Sequence, residues 1–152
     1  MDYQTLKLLH ILGACLFIGN NLVTPFWRAF AERTRHPAIV AWSQKLITRT
    51  DVVFTGGGIT LLLATGHAMA AQLPGLWQEN WFLWAYILFA LSGVIWLVAL
   101  LPLQMKQARL AKAFHDEATI PDEFWRLARR WSIAGAAASI LPLASLALMV
   151  LK

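Results

Sequence analysis

His10 and His67 are the residues best placed to do chemistry. Each lies in a stretch without Asp, Glu, Lys or Arg, where a bilayer would leave an unpartnered polar side chain at a penalty. Two neutral imidazoles facing each other across a helical bundle are a usual way to hold haem b. With Met69, Met149 or Cys15 as softer ligands nearby, they could equally contribute to a copper or zinc site. Trp84 and Tyr86 fall at the same outer depth and would line a cofactor pocket, or else belong to an interfacial aromatic belt. The competing reading is structural: a histidine near the membrane surface can hydrogen-bond a Thr, a carbonyl or water.

Helical spacing sets what each histidine would meet. Stepping back from His67 by three or four residues gives Leu63 and Ala64, then Thr60, then Gly56 and Gly57. This mostly small face would let another helix approach closely. His10 shares its face with Gly13, Ala14, Phe17 and Asn21. His10 comes early in the first run and His67 late in the second, so antiparallel helices would place both at a similar depth. The Gly56-Gly57-Gly58 run could also mark an unwound, ion-binding stretch, although close packing is its commoner cause.

The elements that must position these side chains are membrane spans. The chain has 152 residues, of which 59% are hydrophobic and only 14% charged, against about 25% charged in ordinary soluble domains. Four runs carry no charge: Leu8 to Trp27, Val52 to Gln78, Trp81 to Gln104, and Trp131 to Leu151. Each reaches the ~20 residues an α-helix needs to cross the bilayer. None shows the polar stripe of a soluble helix or the strict alternation of a barrel strand. One all-α domain over 1–152 is expected, an up-down four-helix bundle with spans at about 6–27, 52–72, 81–104 and 131–151.

Charge sets the orientation. Arg28, Arg33, Arg35, Lys45 and Arg49 follow the first run, and Lys106, Arg109, Lys112, Arg126, Arg129 and Arg130 follow the third. The connection around Ala71 to Asn80 has no basic residue. The positive-inside rule then puts both basic connections in the cytoplasm, with helices extended below the membrane, and both termini outside. In a bacterial inner membrane the outside is the periplasm. The net charge of +5 is thereby explained without nucleic acid. Trp77, Trp81 and Trp84 collect at the outer edge, and Trp27, Trp42, Trp125 and Trp131 at the inner.

Further signals fix the boundaries. Pro37 suits the first turn of a new helix after Thr34-Arg35-His36, and Pro121 with Asp122 and Glu123 marks the start of the last. Asn20 and Asn21 lie well inside the first span and need partners. Asp51 is expected as a solvated cap at the inner end of the second, with pairing to Arg49 or Arg130, or a proton path, as alternatives. His36 and His115 read as surface residues. A single cysteine permits no intramolecular disulfide.

Leu9-His10-Ile11-Leu12-Gly13, with Gly19 beyond, resembles the first helix of the copper-resistance-D-like group, which includes a membrane protoporphyrinogen oxidase. The whole chain, through Ala64-Thr65-Gly66-His67 and the closing Leu148-Met149-Val150-Leu151-Lys152, is similar to a bacterial family of predicted four-helix integral membrane proteins. The resemblance implies the bundle fold and singles out His10 as a haem ligand. The oxidases carry His-Ala-Lys at the start of helix three, where this chain reads Leu83-Trp84-Ala85-Tyr86 and lacks both the histidine and the lysine. No oxidase reaction is therefore expected, while haem on His10 with His67 as second ligand stays open. Three functions follow as expectations: a haem or metal protein, a cofactor-free accessory subunit of a membrane complex, or a small transporter formed by a homo-oligomer.

Overall fold

The computed structural model describes residues 1–151. Four long helices form the chain: α1 (Tyr3–Arg33), α2 (Pro37–Ala70), α3 (Asn80–Ala113) and α4 (Asp122–Leu151). All four are long and apolar enough to cross a membrane, and the described residues contain no strand. They have 31, 34, 34 and 30 residues. At ~1.5 Å per residue each exceeds the ~30 Å of hydrocarbon, so the bundle projects beyond it.

Local chemistry sets the helix ends. The Asp2 side chain accepts hydrogen bonds from the Thr5 amide (3.2 Å) and hydroxyl (2.5 Å) and caps α1. Pro37 opens α2, and Asp122 and Glu123 lie in the first turn of α4, at the positive end of its dipole. Between α2 and α3, Gly75 takes φ 86°, which a residue with a Cβ rarely adopts. Arg35, between α1 and α2, also has positive φ, at 54°. Its guanidinium lies 4.5 Å from the Trp125 ring centroid, a contact that offsets the strain.

The four helices pack in two ways. In the apolar half, α1 lies on α2 and α3 lies on α4. The first pair meets through glycine: a Cβ added at Gly58 would come within 2.9 Å of the Phe17 amide nitrogen. The second pair is joined by hydroxyls, Ser92 donating to the Ala138 carbonyl and Ser145 to the Ala85 carbonyl, both at 2.8 Å. In the basic half α2 and α3 meet, and the helix ends form a stem around Val40, Ala41, Ala111, Phe114, Phe124 and Ala128. These segments lie beyond the charge-free runs and have a core of their own.

The facing stripe of α2 differs from expectation. Gly57, Thr60, Leu63, Ala64 and His67 are exposed, and the buried positions are Gly58, Thr65 and Ala70. Thr60 turns its hydroxyl back to the Gly56 carbonyl (2.9 Å). Spacing alone gave a small-residue face but could not say which of two small faces meets α1. Gly58 decides it, because its face lets the backbones touch. On α1, Gly13 and Phe17 face α2 as expected, and Asn20 rather than Asn21 is the buried amide.

Both middle helices contain a π turn, Asp51–Gly56 in α2 and Trp96–Leu100 in α3. Each widens the helix by one residue and re-aims the side chains around it. Both occur at the ends of the charge-free runs nearer the basic connections, beside the most polar interior of the bundle.

Candidate functional site

The two histidines occupy different environments. His10 is half-buried on α1 against α2, its Nδ1 3.0 Å from the Thr65 hydroxyl and its ring against Gly66. Thr65 spends its own proton on the Leu61 carbonyl at 2.6 Å. His10 Nδ1–H therefore donates to that hydroxyl, and the ring also meets the Leu62 backbone carbonyl. His67 Nδ1 donates to the Leu63 carbonyl at 2.8 Å, so its Nε2 is the unprotonated nitrogen. The His67 ring is exposed and neighbours Tyr86 (5.8 Å) and Trp77 (6.0 Å).

The ring neighbours of His67 are thus aromatic, and His10 faces Gly66 and Thr65, about 100° and 160° away around the helix. Trp84 is 59% exposed on the outer surface, Met69 is half-buried, and Cys15 is exposed. Among the described residues no group of three His, Cys, Asp or Glu converges on a point.

The polar convergence lies at the other end of the bundle. Asp51, expected as a solvated cap, is buried at the first residue of the α2 π turn. It accepts from Asn20 (2.7 Å) and Thr55 (3.5 Å), and Gln104 bonds the same carboxylate. Asn20 also donates to Thr55 (2.9 Å) and accepts from Thr24 (3.3 Å). α2 runs through this point without a break, so Asp51 has no solvated helix end to cap. It is neither paired with Arg49 nor held by Arg130, both of which are exposed.

One turn below, Arg28 is only 3% exposed. Its Nε donates to Glu32 (2.8 Å) and its Nη2 to Gln107. Its face lies 4.3 Å from the centroid of Trp131, whose indole N–H donates to Gln104 (3.3 Å). Trp131 was expected at the membrane edge but is buried, because the cation and the amide hold it inward. Nη1 of Arg28 is buried with no hydrogen-bond partner among the described residues.

Arg28, Asp51, Gln104 and Trp131 wall a chamber of about 310 Å³ between α1, α3 and α4. Asn21, Ser132 and Ser139 add neutral polar groups, and Leu22, Phe26 and Trp96 add an apolar side. Leu22 and Phe26 are on the outer surface, so the chamber opens toward lipid. Sequence reasoning singled out Asp51 but passed over Arg28, Gln104 and Gln107. Arg28 closes the first apolar run, and its place so near Trp27 and Pro25 was the available signal.

A family model described as "Predicted integral membrane protein (DUF2269)" matches residues 4–152. No curated protein and no solved structure matches the chain.

Proposed function

The chain belongs to this family of predicted integral membrane proteins, and on that footing we propose that it is a non-enzymatic binding protein whose working site is the Arg28–Asp51 chamber. One observation carries the reading: Arg28, only 3% exposed, is among the residues lining a cavity and keeps a donor, Nη1, with no hydrogen-bond partner among the described residues. Ionisable groups inside a span are retained where they serve a ligand or a path, and a buried donor needs an acceptor. Asp51 is hydrogen-bonded to Asn20 and Thr55, which holds its side chain in place as part of a binding wall.

The site would lie toward the cytoplasm in a bacterial inner membrane, with both termini on the outer side, because the basic residues gather around the stem. A second copy or another subunit would fit the outward stripe of Gly57, Thr60 and Ala64, whose small side chains expose the helix backbone to a neighbour. The deciding experiment is native mass spectrometry from mild detergent. Wild type carries a bound amphiphile that Gly135→Leu, which fills the chamber from α4, excludes. The same adducts on both proteins would defeat the proposal.

A second reading rests on the imidazoles. Anchoring Nδ1 on a hydroxyl or carbonyl leaves Nε2 as the donor atom, the arrangement usual for histidine ligands. His10 and His67 fit haem b or copper as separate single ligands better than as a pair, because their rings have different neighbours. Haem would supply electron transfer when bound. A Soret band lost in His10→Ala supports this reading, and a colourless protein from haem-fed cells removes it.

A further inference from the structure

The polarity of the chamber identifies its ligand, given that the chamber is the working site. Arg28 is the cation in its wall, and Glu32 already compensates it at 2.8 Å. Asp51 adds a second acid in the same wall. An incoming phosphate or carboxylate would find no surplus positive charge and two acids beside it. A cation would find both acids already engaged, Glu32 by Arg28 and Asp51 by Asn20 and Thr55. What remains is an uncharged molecule with an acceptor oxygen for Nη1.

The other walls narrow the class. Trp96 and Trp131 are broad aromatic surfaces, and Leu22, Leu100 and Phe26 are apolar. Such walls favour a flat ring, which gains from stacking and from edge contacts. Asn21 and Ser139 supply neutral donors for a second oxygen. The outward-facing Leu22 and Phe26 put the opening where a lipophile arrives from the bilayer rather than from water. A volume of about 310 Å³ lies at the small end of ligand pockets, and it suits a single ring with its tail left in lipid.

From these observations we infer that the chamber binds the ring of an uncharged, carbonyl-bearing lipophile of the quinone class, a carbonyl oxygen accepting from Arg28 Nη1. Binding alone is inferred, and no electron transfer is required of the site.

The test titrates menadione and ubiquinone-1 into the detergent-purified full chain and follows tryptophan fluorescence, which quinones quench. Wild type gives saturable quenching. Gly135→Leu abolishes the saturable component, and Arg28→Lys, which keeps the charge but loses the planar fork, weakens it about tenfold or more. Circular dichroism and unfolding temperature establish that each variant is folded. Neither phosphatidylglycerol nor inorganic phosphate displaces the quinone.

Displacement by phosphatidylglycerol, with binding of that lipid dependent on Arg28, overturns the uncharged class and leaves the binding function standing. Displacement by inorganic phosphate alone overturns the lipophile and points to a soluble anion. Quinone binding indifferent to a folded Arg28→Lys overturns the assigned donor. If neither a quinone nor a lipid responds to filling the chamber, water is the partner of Nη1 and both readings fall.

Discussion

Asn20 of α1 donates a 2.7 Å hydrogen bond to Asp51 of α2, a buried amide meeting a buried carboxylate where α2 widens into a π turn. Replacing Asn20 with Leu deprives the buried Asp51 of a donor. The expected loss is about 1–3 kcal/mol, the usual penalty for stranding a buried polar group. Removing both in Asn20→Leu/Asp51→Leu costs less than the two single changes together, because no charge is left stranded. Thermal unfolding in detergent measures the cycle, and strictly additive losses would show the pair to be uncoupled.

Gly58 and Gly57 are neighbours with opposite expectations. A methyl on Gly58 meets the Phe17 backbone at 2.9 Å, and the chain there can yield only by separating α1 from α2. Gly58→Ala should destabilise by about 1–3 kcal/mol. Gly57 has nothing within 4 Å of an added Cβ, so Gly57→Ala should be neutral or stabilising by up to about 1 kcal/mol through helix propensity. Equal unfolding temperatures for the two variants would contradict the α1–α2 packing.

Trp131 makes two separable contributions. Trp131→Phe keeps an aromatic face for Arg28 and loses the N–H bond to Gln104, a change of about 0.5–1.5 kcal/mol. Trp131→Leu also loses the cation–π contact, worth up to about 2 kcal/mol when shielded from water. Chemical unfolding should therefore rank wild type, Phe, Leu. Phe and Leu variants of equal stability would deny the stacking a role.

Histidine tautomers are directly observable. Nitrogen-15 spectra of labelled protein in nanodiscs should show His10 and His67 protonated at Nδ1, with Nε2 bare, because each Nδ1 faces an acceptor. Thr65→Val removes the hydroxyl from His10 only and leaves it the Leu62 carbonyl, so the His10 signal should shift while His67 is unchanged. A His10 protonated at Nε2 in wild type would contradict the direction of that bond.

Orientation can be read by labelling. In a Cys15→Ser background, Gln72→Cys at the loop between α2 and α3 should react with an impermeant maleimide on intact cells. Glu117→Cys, between α3 and α4, should react only after lysis. The reverse pattern would invert the proposed topology.

Much of the architecture was legible because lipid imposes simple rules. Four uncharged runs gave four helices, and Pro37 and Asp122 marked two starts. The working interior was harder to read. Glutamine carries no charge, so Gln104 passed as the end of an apolar run and Gln107 as part of the extension beyond it, although they receive Trp131 and Arg28. The π turns changed which side chains face inward near Asp51 and Leu100, and a fixed 3.6-residue period cannot foresee that. His67 was read as inward because its face is small, yet the competing small face through Gly58 had the closer fit. Depth was predictable from chain direction, while rotation about each helix depended on contacts between distant residues.

The stem around Phe114 and Phe124 holds together for a different reason from the rest of the molecule. Their rings meet edge to face at 5.2 Å in a core built from all but the first helix, and in water the tendency to hide such surface is strong. Between acyl chains that tendency is absent, and contacts such as Gly13 on Gly58 compete with lipids that solvate the helices nearly as well. The protein therefore resembles a tuning fork clamped at its handle. A thicker or thinner bilayer would splay or draw in the prongs while the grip stays shut, and the aperture beside Phe26, just above that grip, would be the last part to feel it.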